Sequence, residues 1–202
     1  MKKFAPIVVV LLGLIVLAGC SKPPEMEMSA ANSAIDMAKK AEAEVYAPAA
    51  YRIAMDTLNA ATAAKKEQDG KFSLFRSYTK CKDQFVRAEG LAKKAEADGK
   101  AEKARMKEEV SNLLNLAGTE IAAADSALAK APVGKGNKAD IELLKSDLSA
   151  IQSSYQDAQA DFNTEKYKGA KSKLEVIRKK TQALVAEVEL AVAKAGPKRK
   201  GK

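Results

Sequence analysis

The second half of the chain carries an apolar repeat that strongly restricts its fold. Side chains that are nearly all apolar recur at alternating spacings of three and four residues over three segments, Val110–Ala131, Ile141–Phe162 and Tyr167–Ala195. This spacing keeps one stripe of a helix against a neighbouring helix, whereas a half-buried strand needs an apolar residue at every second position. The linkers at Pro132–Asn137 and Asn163–Thr164 are short, which favours antiparallel neighbours. The repeat therefore predicts three antiparallel helices.

The first half shows the same spacing with a stripe that is mostly alanine. The pattern predicts one helix from about Ser29 to Val45, a second that begins at Pro48, and a third from about Lys71 after an Asp69-Gly70 turn. The expected buried residues are Ala31, Ala34, Ala38, Ala41 and Val45, then Tyr51, Ala54, Leu58 and Ala61, then Tyr78, Cys81, Phe85, Ala88, Ala92 and Ala95. Gly99 weakens the third helix, and the sequence leaves open whether that helix continues beyond it.

Together, these patterns predict an all-α protein of elongated antiparallel helical hairpins, or a coiled-coil bundle. Both halves run from an alanine-rich helix through a proline-containing loop to a second and a third helix. We interpret this as an internal duplication of a three-helix unit, with one copy at 29–97 and the other at 100–195. Seams made of alanine bury little apolar surface within one chain. Association with a second copy of the chain would bury more, so homo-oligomerisation is one expectation.

The start of the chain has the layout of a secretory signal. Lys2 and Lys3 precede an apolar run from Ile7 to Leu17. That run has eleven residues, whereas a helix needs about 20 to span a bilayer. Residues 1–19 are therefore predicted to be a signal peptide that is removed.

The end of this signal, Leu17-Ala18-Gly19-Cys20, resembles the lipobox of bacterial lipoproteins. The resemblance implies that the Cys20 thiol takes a diacylglyceryl group, that cleavage falls before Cys20, and that the new amine receives a further acyl chain such as palmitate. Residues 20–28, which include Pro23-Pro24, are expected to form an extended lipidated tether. Ser21, in the place of aspartate, implies sorting to the outer membrane, with the protein facing the periplasm.

The helical part of the first half is similar to an uncharacterised family of bacterial alanine-rich helical lipoproteins, a domain of unknown function. The resemblance covers about 29–97 and rests on Ala34-Ile35, Tyr46-Ala47-Pro48, Ala54, Leu58, Ala61, Ala88, Ala92 and Ala95. The turn of that family appears here as Asp69-Gly70-Lys71-Phe72. The resemblance implies a helical fold and an envelope location, and it implies no activity.

Composition argues against several classes of function. The chain has no histidine, which removes the commonest general base and a common metal ligand, so we expect no enzyme, no metal site and no cofactor. Its net charge is +9, but an exported chain without a recognition motif is not expected to bind nucleic acid. The carboxylates of Glu108-Glu109, Asp157 and Asp161 are interpreted as solvated helix faces rather than a catalytic pair.

Two further sites have a structural and a functional interpretation. Cys81 lies on an apolar stripe beside Phe85, which favours a small buried side chain, and an intermolecular disulfide is the alternative. The cluster Arg178-Lys179-Lys180 is interpreted as a solvated face, with a membrane- or polyanion-binding patch as the alternative.

The last seven residues, 196–202, are expected to be a disordered basic tail. Its basic residues are Lys198, Arg199, Lys200 and Lys202. One alternative is contact with an anionic surface such as lipid, lipopolysaccharide or cell wall. Another is covalent linkage of Lys202 to peptidoglycan, by analogy with the small murein lipoprotein.

The function predicted from the sequence is that of a membrane-anchored scaffold in the cell envelope, with other envelope proteins or peptidoglycan as partners. Two alternatives stay open: an accessory subunit or carrier for an envelope machine, and a peptidoglycan tether through the basic tail. A carrier is expected to have an apolar cavity, whereas a scaffold is expected to have continuous helix seams with exposed grooves only at its ends.

Overall fold

The computed structural model describes residues 22–134 and 136–194 of the chain. These ranges contain helices and no β-strand, which confirms the predicted all-α helical bundle. The α-helices are, in chain order, α1 (Glu25–Lys40), α2 (Ala43–Tyr46), α3 (Pro48–Asp69), α4 (Thr79–Lys130), α5 (Lys138–Asn163) and α6 (Tyr167–Lys194), with a 3₁₀ turn at Ser73–Phe75. The chain divides into two compact units, unit 1 through Lys103 and unit 2 from Ala104.

Unit 1 packs α1, α3 and the first part of α4 side by side. Glu25 at the start of α1 lies 3.0 Å from Lys65 near the end of α3, so these helices are antiparallel. Glu27 lies 3.0 Å from Lys82 near the start of α4, so α4 returns in the direction of α1. Alanine supplies more than half of the main core cluster, which consists of Ala31, Ala34, Ile35, Ala54, Leu58, Ala61, Tyr78, Cys81, Phe85, Ala88 and Ala92.

The first predicted helix is interrupted, and the prediction that Val45 is buried is wrong. The backbone of Glu42 is left-handed, with φ 55° and ψ 31°, and it separates α1 from the short helix α2. This elbow changes the phase of the helix, so Tyr46 and Ala43 are buried while Val45 is 41% exposed. The Glu42 carboxylate lies 3.1 Å from the Lys103 ammonium on α4, which holds the elbow against that helix.

Helix α4 continues through Gly99, and the lack of a side chain at this position allows close packing. A Cβ atom at Gly99 would lie 2.9 Å from the Ala43 Cα and 3.3 Å from the Ala41 carbonyl oxygen. Both neighbours belong to the backbone around the elbow. The glycine therefore permits α4 to approach the elbow more closely than any other residue type allows.

The starts of two helices differ from the prediction. α1 begins at Glu25, so the extended tether predicted to reach Met28 is too long; Glu25 and Glu27 lie in the first turn, where negative charge stabilises a helix. α4 begins at Thr79 rather than near Lys71, because the intervening residues form a separate turn. This turn is held by the backbone bond from the Phe75 amide to the Phe72 carbonyl and by the Arg76 side chain.

Unit 2 packs the second part of α4 against α5 and α6 in the same up-down-up order. The Tyr155 hydroxyl on α5 donates to the Leu114 carbonyl on α4 at 3.1 Å. The predicted stripes are buried at nearly every position, namely Val110, Leu114, Ala117, Ile121, Ala124 and Leu128, then Ile141, Leu144, Leu148, Ile151 and Ala158, then Tyr167, Ala170, Leu174, Ile177, Thr181, Leu184, Val188 and Ala191. Ala131, Tyr155 and Phe162 are half-buried, and Ala195 lies outside the described residues.

Asn137 is a buried polar residue that fastens the loop between α4 and α5. Its side-chain nitrogen donates to the Pro132 carbonyl at 2.8 Å and to the Ala191 carbonyl at 3.1 Å. Its side-chain oxygen accepts from the Gly134 amide at 2.7 Å. Because Ala191 lies in the last turn of α6, this one side chain joins the loop to the end of the final helix.

Candidate interaction surfaces

The strongest site predicted from the sequence lies outside the described residues. This holds for Leu17, Ala18, Gly19 and Cys20 of the lipobox, and equally for the tail with Lys198, Arg199, Lys200 and Lys202. Both remain predictions from the sequence. The first described helix begins at Glu25, five residues after Cys20.

The prediction that Cys81 is a small buried side chain is confirmed. Only 1% of the residue is exposed, and its thiol contacts the Tyr78 carbonyl oxygen at 3.1 Å. Burial raises the pKa of the Cys81 thiol, and thus disfavours the reactive thiolate.

We therefore expect the Cys81 thiol to resist modification in the folded protein. A thiol-specific maleimide should label it slowly under native conditions and rapidly in denaturant, as followed by intact mass. Non-reducing electrophoresis should show monomer. Rapid labelling of the native protein, or a disulfide-linked dimer, would contradict the buried position.

The prediction that Arg178-Lys179-Lys180 forms a solvated face is wrong for Arg178. Its guanidinium donates two hydrogen bonds of 2.9 Å to the Glu120 carboxylate, which joins α6 to α4. Lys179 and Lys180 are exposed. The arginine lies one position after the buried Ile177, so its side chain reaches along the seam to the neighbouring helix.

This pair gives unit 2 a pH dependence. The Arg178 guanidinium lowers the pKa of Glu120, so the stabilisation is complete above the ordinary glutamate pKa of about 4.3 and is lost as the pH falls through the lowered pKa. Arg178→Gln should lower the stability of unit 2 slightly at neutral pH, because solvent screens the pair, and should reduce its loss of stability on acidification. Denaturant unfolding at neutral and acidic pH measures both effects. Lys179→Gln is the control, and an equal response of both variants would contradict the assignment.

The acidic residues named from the sequence do not assemble into a site. Glu109 forms an ion pair with Lys171, and Asp161 forms one with Lys173 at 2.6 Å. Across 22–134 and 136–194, no group of three or more histidine, cysteine, aspartate or glutamate residues is placed to hold a metal ion. Among the same residues, no helix is long and apolar enough to cross a membrane.

The turn between α3 and α4 exposes three large apolar side chains that the helical repeat does not predict. Phe72, Leu74 and Phe75 are 68%, 50% and 75% exposed. We call these three residues the apolar tip. The sequence signal was present, because two of the five phenylalanines in the chain fall within this turn, where the helix repeat is interrupted.

A second surface is a shallow furrow between α5 and α6. Three open depressions of about 210 to 280 Å³ follow one another along it; the first two share Glu187, and the second and third share Ile151 and Lys180. Leu143 and Leu190 line its first part and are each more than 60% exposed. We call this surface the α5–α6 furrow. The expectation of grooves only at the ends is wrong, since the furrow follows much of the length of both helices.

Comparison with protein-family models, with curated proteins and with solved structures finds no match to this chain.

Proposed function

We propose that the protein is a lipid-anchored scaffold of the bacterial cell envelope, held at the membrane through Cys20. The observation that carries this proposal is the sequence Leu17-Ala18-Gly19-Cys20 at the end of a short apolar run. Two or three acyl chains on Cys20 hold a protein firmly, because each buried methylene contributes about 0.8 kcal/mol. Ser21 favours the inner leaflet of the outer membrane, with the helical units facing the periplasm.

The filled seams of the described units support a scaffold rather than a carrier, whereas the α5–α6 furrow departs from the expected grooves at the ends and would itself be the scaffold's contact surface. Their seams are filled by side chains along each helix, and the depressions of the α5–α6 furrow are shallow and open to solvent. A carrier would instead enclose its ligand in a concave apolar site. The furrow offers an apolar strip with charged residues beside it, which suits contact with a helix of another envelope protein.

The proposal is tested by crosslinking in intact cells, followed by affinity capture and mass spectrometry. Wild type is compared with Cys20→Ala carrying an ordinary cleavable signal peptide, so that the variant is exported without lipid. We expect a defined set of envelope proteins with wild type and a strong loss of that set with Cys20→Ala. Capture of one small ligand by both forms would replace the scaffold with a carrier.

The furrow is tested in the same experiment. Leu143→Glu combined with Leu190→Glu places charge on exposed positions of the α5–α6 furrow, so folding should be unaffected while capture is lost. Leu116→Glu is the matched control, because Leu116 is an exposed leucine of α4 in the same unit and does not line the furrow. Equal capture by both variants would exclude the furrow as the contact surface.

A further inference from the structure

We propose that the apolar tip inserts into the surface of the phospholipid bilayer that holds the Cys20 lipid. The inference rests on the proposed function, because it requires the lipid anchor. It adds a second membrane contact, made by side chains of unit 1, which orients this unit on the membrane. The proposed contact of the apolar tip is therefore the interfacial region of a bilayer rather than a protein.

The side chains of the apolar tip are exposed to solvent. Two phenylalanines and a leucine lie within four residues, and each is at least half exposed. Single exposed apolar residues are ordinary on protein surfaces, but a cluster at the end of a turn marks a site of contact. The rings of Phe72 and Phe75 lie against each other, with centroids 6.4 Å apart, so they form one continuous apolar surface.

Hydrogen bonds made by polar side chains hold the turn in this exposed conformation. The Arg76 guanidinium donates to the Lys71 carbonyl at 2.9 Å and to the Asp69 carbonyl at 2.8 Å. The Ser77 amide donates to the side chain of Gln68 at 3.1 Å. Because the backbone is fixed by these bonds, the apolar side chains are presented outward without the ordering cost of a flexible loop.

The apolar tip lies at the end of unit 1 where α1 begins. The Tyr78 hydroxyl donates to the Asp69 carboxylate at 2.6 Å, and Lys65 bridges Asp69 and Glu25 with distances of 3.0 Å to each. The turn and the first residue of α1 therefore lie at the same end of unit 1. Cys20 is five residues before Glu25, and five extended residues span at most about 17 Å. The lipid on Cys20 thus brings this end of unit 1 to the membrane.

The end of unit 1 that carries the apolar tip has a small excess of basic residues. Residues 65–82 contain six basic and two acidic side chains, and the Glu25 and Glu27 carboxylates of α1 pair there with Lys65 and Lys82. Lys71 and Arg76 flank the apolar tip in the sequence, and Lys66 and Lys80 are exposed. Basic residues next to an apolar insertion favour the headgroup region of anionic phospholipids.

A single tryptophan tests the proposal, since the natural chain contains none. Phe75→Trp places the reporter in the apolar tip. Ile53→Trp is the control, on an exposed position of α3 that lies about 24 Å along the helix from Asp69. The lipidated mature chains are reconstituted in vesicles of anionic and zwitterionic phospholipid, with and without bromine on the upper acyl chain.

We expect the tryptophan emission of Phe75→Trp to shift to the blue and to lose most of its intensity in brominated vesicles, more strongly with anionic lipid. The Ile53→Trp control should keep its aqueous spectrum. Adding Phe72→Ser and Leu74→Ser to Phe75→Trp should reduce the quenching several-fold, while slow labelling of Cys81 shows that unit 1 remains folded.

The outcomes separate this proposal from the lipid anchor. If the Phe75→Trp chain floats with the vesicles in a density gradient but its tryptophan stays in water, the tip insertion is overturned and the lipid anchor stands. A protein partner of the apolar tip is then the alternative to test. If the chain does not float with the vesicles, the anchor fails and the insertion fails with it.

Discussion

Replacing Phe85 by alanine is expected to destabilise unit 1 by about 3 to 5 kcal/mol. Phe85 is fully buried and is one of the two largest fully buried side chains of this unit, the other being Tyr78. The neighbouring core positions are largely alanine, so they cannot move in to fill the space that the ring leaves. The free energy of unfolding of a typical domain is about 5 to 15 kcal/mol, so the variant loses a large part of its stability.

Maleimide labelling of Cys81 in increasing denaturant measures this loss within unit 1, because Cys81 belongs to the same core cluster as Phe85. Val86→Ala is the control, as its side chain is adjacent in sequence but 52% exposed, and its effect should stay within about 0.5 kcal/mol. Similar midpoints for Phe85→Ala and Val86→Ala would show that the core is not packed around the Phe85 ring.

Gly99→Ala and Gly90→Ala are expected to change stability in opposite directions, although both glycines lie in α4. At Gly90 an added Cβ meets nothing within 4 Å, so the variant should gain up to about 1 kcal/mol from helix propensity. At Gly99 the Cβ would lie 2.9 Å from the Ala43 backbone. Overpacking of this kind costs about 1 to 3 kcal/mol, which outweighs the gain in propensity.

The two glycine variants are compared by denaturant unfolding of the full chain. The expected result is a lower midpoint for Gly99→Ala and a higher midpoint for Gly90→Ala. If both variants are stabilised, α4 does not approach the elbow at Ala41–Ala43 as closely as described. Gly99→Ser then provides a second test, because it adds a Cβ with less gain in helix propensity.

The apolar stripes were predictable because burial in a helical bundle follows the helical repeat. The positions from Ile141 to Ile151 and from Tyr167 to Ala191 are buried where the spacing of three and four places them. The phase error at Val45 arises because the helix breaks at Glu42, where no glycine or proline marks the break. The close approach of Gly99 to this elbow joins residues far apart in the sequence, so the local pattern does not predict it.

The features that the sequence does not predict depend on single polar side chains. Charge alone groups Arg178 with two lysines, but its bidentate pair needs Glu120 on another helix. Asn137 was assigned to a loop, and its bonds to Pro132 and Ala191 appear only when α6 is in place. Arg76 likewise forms the turn that exposes the apolar tip. Helical periodicity contains no information on such contacts.

The most direct test of the account is the mass of the mature N-terminus, measured on protein extracted from the membranes of a bacterium that expresses the full chain. We expect the first residue to be Cys20 and its sulfur to carry a diacylglyceryl group. A chain that retains residues 1–19, or one that begins at another residue with an unmodified Cys20, would contradict the lipid anchor and the scaffold built on it.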